Sequence, residues 1–264
     1  MLAVVSLLLL SAVPADLRPG DADTAVTFEL DSGFDLQAVP ENVTWFGPES
    51  FSLVGHVPGE PDSSLTLAVR RGVLWGSVRT PESNLRIRPD GASYRVEKVR
   101  SEVFRPAREP LTVSRGEAAA AAPVDDGSVL DVLVGYTRRA RASAGGTRAI
   151  EALVQLGLTE ANLAFERSAI HTRLRLVQVT EIDYEEAGDI EGDLELLRRP
   201  FDGAADEVHA LRDAYGADLV QLVVEEHDGC GNAYLMGGDD PGFGAWAFSV
   251  VEWDCIDSSF GLLH

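Results

Sequence analysis

Residues 129–137 read VLDVLVGYT, an apolar run broken by Asp131 and closed by Thr137. A half-solvated strand would alternate apolar and polar positions. A nearly continuous run is what a strand needs when helices cover both faces of its sheet. The segments on its C-terminal side agree. Residues 147–170, TRAIEALVQLGLTEANLAFERSAI, place Ile150, Leu153, Val154, Gly157, Ala161, Ala164 and Phe165 on one face at helical spacing. Residues 172–182, TRLRLVQVTEI, alternate as a strand. Residues 189–200 predict a short helix stopped by Pro200. Residues 202–216 predict another, with Val208, Leu211 and Tyr215 inward and Gly216 as its C-terminal cap. Residues 217–226, ADLVQLVVEE, form a third strand. Strand, helix, strand, helix, strand is a βαβ arrangement with right-handed crossovers.

Beyond residue 226 the pattern becomes irregular. Residues 227–253, HDGCGNAYLMGGDDPGFGAWAFSVVEW, surround two short candidate strands, NAYLM and AFSVVEW, with glycines. Gly-rich loops beside a strand at a sheet edge shape clefts. The Gly-x-x-x-x-Gly-Lys-Ser/Thr phosphate loop does not occur.

On the N-terminal side of Val129 the chain changes character. Between residues 24 and 110 the segments TAVTFEL, SLTLAVRRG, LWGSVRT, LRIRP and SYRVEKV alternate in strand fashion. Hairpins are predicted at Arg70–Gly72 and at Asp90-Gly91. This region is expected to be a small antiparallel sheet or sandwich. Its histidine, His56, is expected in a solvated Gly-Pro-rich turn. Residues 111–127, which include GEAAAAAPVDDG, are expected to be a connector, because Pro123 and Gly127 stop any helix the alanines begin.

The first residues, MLAVVSLLLLSAVPAD, read as a signal peptide, residues 1–15, cut after Ala15, although no Lys or Arg precedes the apolar run. The run is too short for a membrane span. The mature protein is therefore expected to be secreted, off the membrane and monomeric. Lys and Arg total 22 against 43 Asp and Glu, a net charge of −21. Such a surface repels phosphate backbones and argues against nucleic-acid binding. Two cysteines, Cys230 and Cys255, suggest one disulfide in an exported chain, the alternative being two buried thiols. Asn42-Val43-Thr44 is a glycosylation sequon.

Taken in order, these features resemble the reprolysin or adamalysin-like branch of the metzincin zinc metalloproteases, and most closely its bacterial secreted members of the peptidyl-Asp metalloendopeptidase type. CGNAYL, residues 230–235, resembles that family's edge strand. AFSVVEWDC, residues 247–255, resembles the strand and cysteine before its zinc helix, and SSFGLLH, residues 258–264, the approach to that helix. The resemblance implies an α/β (α+β) fold: a metzincin-like mixed sheet with helices over residues 128–264, preceded by an antiparallel β-rich pro-domain over residues 24–110. It implies that His264 is the first zinc ligand of His-Glu-x-x-His-x-x-Gly-x-x-His, whose Glu and remaining His lie outside these 264 residues. Two histidines four apart on a helix share a face and hold one Zn²⁺, while the Glu works on the zinc-bound water. Gly231, Asn232, Ala233 and Tyr234 are implied to line the substrate cleft, holding an extended protein or peptide substrate by main-chain hydrogen bonds. A Cys230–Cys255 disulfide is likewise implied.

The expected activity is that of a zinc-dependent endopeptidase proenzyme, with a polypeptide limited to these residues inactive because only His264 of the ligand set is in it. Both cysteines follow residue 229, so a cysteine-to-zinc latch in the pro-region is excluded, and latency would have to come from the pro-region covering the cleft. His171 and His209 are expected to be structural or solvated, His227 a loop residue near the cleft, and Glu252 and Asp254 the polar face of a strand. Two other readings remain: a non-catalytic secreted peptide-binding or inhibitory module on a degenerate protease scaffold, and an unrelated α/β binding protein.

Overall fold

The computed structural model describes residues 5–7, 26–30, 34–99, 111–113, 128–225, 229–236 and 241–257. The expected signal-peptide cut, most of the connector, His227 and His264 lie outside the described residues. The chain divides into two compact units, one of Met1–Val103 with Gly145–Thr159, the other of Phe104–Ala144 with Glu160–His264.

The first unit is an eight-stranded sheet in chain order: β1 (Val5–Leu7), β2 (Val26–Leu30), β3 (Phe34–Gly47), β4 (Ser50–Val57), β5 (Glu60–Arg70), β6 (Val73–Arg79), β7 (Asn84–Asp90) and β8 (Ser93–Lys98). β1 runs parallel to β2, and every later neighbour pair is antiparallel. Alternate residues build its core. Leu65, Leu67 and Val69 of β5 join Phe51, Leu53, Leu74, Val78 and Ile87 in one apolar cluster. The β5–β6 hairpin turns at Arg71-Gly72, both at positive φ (48° and 81°), the backbone that matches strand twist in a two-residue turn. The second hairpin turns at Gly91-Ala92, one residue beyond Asp90-Gly91.

Two strands of this sheet, β3 and β4, carry no clear signal in the sequence. Pro40 lies inside β3, and proline normally marks a strand's end. It is accommodated because the β3–β4 register shifts between Pro40 and Asn42, leaving Glu41 in a bulge. His56 is consequently a strand residue rather than a turn residue, and its Nδ1 lies 2.8 Å from Glu41 Oε1. Both are partly solvated, so the pair anchors the bulge at little energetic gain.

The second unit is a six-stranded mixed sheet in the order β11-β10-β12-β14-β13-β9. Its strands are β9 (Leu111–Val113), β10 (Val129–Tyr136), β11 (Arg173–Glu181), β12 (Leu219–Val224), β13 (Gly231–Met236) and β14 (Phe248–Glu252). β10 lies parallel to β11 and β12, and β12 parallel to β14. β13 runs antiparallel to β14, and β9 parallel to β13. The helices are α1 (Arg138–Ser143), α2 (Thr147–Arg167), α3 (Ile190–Arg198) and α4 (Glu207–Tyr215). The two sheets and few helices make an α+β protein. One sheet face is sealed by Ile190, Leu194 and Leu197 of α3 and Val208 of α4, against Leu133, Val220, Leu222, Val224, Phe248 and Val250.

Two helical expectations need correction. Every residue of α2 from Ala149 to Leu158 is buried, not one stripe alone. The polar ones are matched within the first unit: Glu151 Oε2 lies 2.8 Å from Arg70 Nε, and Gln155 Nε2 donates to Ser52 Oγ at 3.1 Å. On α4, Val208 is buried but Tyr215 is 45% exposed, since the helix ends at the next residue. Gly216 caps it in the left-handed conformation, φ 62°, as its position predicts.

Candidate functional site

The residues that the sequence singles out near the cleft converge on β13 and its neighbours. Gly231, Asn232 and Ala233 face Val251, Val250 and Ser249 of β14. Gly231 is required there: a Cβ would stand 2.7 Å from the Val250 carbonyl oxygen. Cys230, just before β13, is disulfide-bonded to Cys255, in the 3-10 turn Trp253–Cys255 after β14, with their Cα atoms 5.5 Å apart. The Glu252 amide donates to the Cys230 carbonyl at 2.9 Å. The bond therefore clamps the start of β13 to the end of β14.

β13 is not outermost. Its far half is paired on the other side by β9, with Tyr234 facing Leu111, Leu235 facing Thr112 and Met236 facing Val113. These three residues fall in the stretch expected as connector. A run of three, Leu-Thr-Val, is too short to signal a strand, and its partners lie more than a hundred residues away. The edge of β13 is thus seen accepting an extended segment by main-chain pairing, in parallel orientation.

Beside Tyr234 sits a cluster that sequence reading missed. Arg198, at the end of α3, places its guanidinium carbon 4.2 Å from the centre of the Trp246 ring and 5.7 Å from that of Tyr234. Its Nε donates to the Tyr234 hydroxyl at 3.2 Å, and the two aromatic rings meet edge to face at 5.0 Å. Only the Arg198-Arg199 pair at a helix end hinted at it, and such a pair ordinarily serves the helix dipole.

A second polar cluster lies where β10 and β12 end. Thr137 caps α1 by accepting from the Ala140 amide and donates to Glu186, a fully buried carboxylate. Arg139 bridges Glu186 and Glu225 at 3.0 Å each, and the Glu225 amide donates to Glu186. The carboxyl ends of parallel strands are where such sheets place ligands. Here the groups satisfy one another, and the cluster reads as a brace.

Asp193 of α3 accepts from the Tyr184 hydroxyl at 2.6 Å and from the Ala187 amide at 2.7 Å. Burial, and then the Asp193 carboxylate, push the Tyr184 phenol well above its ordinary value of 10.0. A raised folded-state value means the neutral phenol stabilises the fold fully below pH about 10, and that stability is lost as pH rises further. Wild-type protein is therefore expected to lose stability by up to about 1.4 kcal/mol per pH unit above pH 10 through this group. Tyr184→Phe should lack that component; equal alkaline slopes in urea titrations of the two proteins would refute the assignment.

His171 is exposed between α2 and β11, and His209 of α4 packs its ring 5.4 Å from that of Phe248. Glu252 does not belong to a solvated strand face as expected: it ends β14 at 2% exposure, within 3.7 Å of Cys255 Sγ. Among the described residues no three His, Cys, Asp or Glu side chains converge as a metal ion requires. The described residues thus do not fit a zinc, and no chemical step is derived through one. Among them, too, no helix is long and apolar enough to cross a membrane.

No protein-family profile matches the chain. It is similar to curated proteins named peptidyl-Asp metalloendopeptidase. That of Xanthomonas campestris pv. campestris is 29% identical over 83% of this chain and 55% of its own length. That of Stenotrophomonas maltophilia is 28% identical over 78% and 50%. That of Pseudomonas aeruginosa is 34% identical over 57% and 26%. Among solved structures, metalloproteinase-II from Bacteroides fragilis aligns over 87% of this chain and 75% of its own at 7% identity, with a TM-score of 0.49, too loose a likeness to define a shared fold. The chain spans about half the length, or less, of the curated relatives it matches.

Proposed function

We propose that the protein to which these residues belong is a secreted, zinc-dependent metalloendopeptidase of the metzincin type, made as a proenzyme whose β-rich first region is the pro-segment. The observation that carries this reading is the similarity to the peptidyl-Asp metalloendopeptidases, which runs along up to 83% of the chain. The sheet supports it: β13 lies antiparallel to β14, is tied by a disulfide, and takes an extended segment along its outer edge. That edge is the surface on which a peptide substrate adds as a strand, with backbone pairing for affinity and alternate side-chain positions for selectivity. What the residues described here do is hold the peptide: β13 supplies the amide and carbonyl ladder, and Cys230–Cys255 and Gly231 fix its approach to β14. His264 is proposed as the opening metal ligand.

The test is expression of the protein from its intact gene and assay on Asp-containing peptides. Cleavage should disappear with chelator and return with zinc. Absence of cleavage by the intact protein would overturn the reading and leave a peptide-binding module.

A further inference from the structure

We propose that Arg198, held against Trp246 and Tyr234, is a subsite that binds the carboxylate of an acidic side chain on an extended peptide lying along β13. The proposal deepens the peptidase reading and rests on β13 being the substrate-binding strand. Three observations carry it.

The first is charge. The sequence has 43 carboxylate residues against 22 basic ones, and neighbouring arginines are answered: Arg175 by Asp131, Arg199 by Glu195, Arg212 by the Ala217 and Asp218 carbonyls. Arg198 has the Tyr234 hydroxyl and two aromatic faces, and among the described residues no carboxylate faces it. In so acidic a protein, a cation left without a carboxylate in a half-buried place is a strong acceptor for one.

The second is geometry. A guanidinium stacked on an indole is held rigid while its N–H edge stays open, which suits two-pronged carboxylate binding. Nε is already used on Tyr234, so the terminal nitrogens are the open fork. The Tyr234 oxygen accepts from Nε and keeps its own proton to donate, adding a third donor on the same side.

The third is register. Leu111 of β9 stands directly opposite Tyr234, and both pack against the core formed by α3, α4 and the sheet. Cross-strand partners lie about 5 Å apart with their side chains on one face. A peptide residue occupying the place of Leu111 therefore presents its side chain to Tyr234 and to Arg198 beyond it. In this structure that place holds an apolar residue, which offers the guanidinium no carboxylate.

The decisive experiment uses the protein expressed from its intact gene and extended peptides in which one Asp, or its neutral isostere Asn, is moved position by position through a neutral background. At one position kcat/KM should favour Asp over Asn, and Arg198→Gln should cut that ratio roughly 10- to 100-fold while leaving the Asn peptide within a few-fold. A packing role alone would lower both peptides together. An unchanged Asp/Asn ratio in Arg198→Gln overturns the proposal and leaves the peptidase reading intact.

A second measurement needs no catalysis. In the 264-residue chain, Leu111→Asp should protect the Leu235 and Met236 amides from hydrogen exchange several-fold more than Leu111→Asn, and the difference should vanish in the Arg198→Gln background. Equal protection by Asp and Asn overturns the subsite. Coupling in this cycle without cleavage of any peptide keeps the subsite and removes the peptidase.

Discussion

Replacing Cys230 and Cys255 together by alanine is expected to lower the unfolding free energy by about 3.5 kcal/mol. The bond closes a loop over a sequence separation of 25. Cross-linking a loop of that size removes entropy from the unfolded chain, on the order of 12 cal/mol/K. The folded state should change little in mean structure, because Gly231–Ala233 still pair with Val251–Ser249 and the Glu252 amide still finds the Cys230 carbonyl. The loss should appear as a lower urea midpoint at nearly unchanged slope. It should appear locally as faster hydrogen exchange in β13 than in β10 or β12. A loss below about 1 kcal/mol, or exchange rising uniformly across the sheet, would show that β13 is held by packing and not by the clamp.

Leu222→Ala is expected to cost about 3–4 kcal/mol, within the range for buried leucines. Leu222 has 0% exposure in β12, at the centre of the second sheet, and belongs to the cluster sealed by α3 and α4. Its partner across the ladder is Gly135, which has no side chain to move into a void. Ile182 fills the other side of that glycine, where an added Cβ would meet it at 2.6 Å. A truncated Leu222 thus leaves a cavity that rigid backbone cannot collapse. Leu235→Ala, at 50% exposure on β13, should cost less than about 0.5 kcal/mol. Equal costs for the two substitutions would contradict the burial assigned to β12.

Much of the second unit was legible from residues 128–253. The apolar run at Val129–Tyr136, the helical spacing after Thr147 and the Gly216 cap are signals carried within a few turns of chain, and each element stands where it was read. In the first unit the strong alternators, β5 to β8, were legible. β3 and β4 were not, because Pro40 and the bulge at Glu41 break the period that marks a strand. Misreadings of single residues share one cause. Glu252 alternates as a surface residue would, yet it closes β14 at 2% exposure with the disulfide-bonded Cys255 Sγ 3.7 Å from its carboxylate. His56 sits among glycine and proline but is registered opposite Val39.

The sequence by itself determined the elements, their order along the chain, the acidic surface and the cysteine pair available for a clamp. These depend on local periodicity, on composition and on counting. Tertiary structure alone decided three matters: that β9 lies on the outer edge of β13, that α2 is buried around its circumference from Ala149 to Leu158, and that Arg198 meets Trp246 and Tyr234. Each joins residues tens to more than a hundred positions apart through backbone pairing or ring contact. Such pairings leave no periodic trace in either partner, because the energy that selects them exists only after the chain has closed the loop between them.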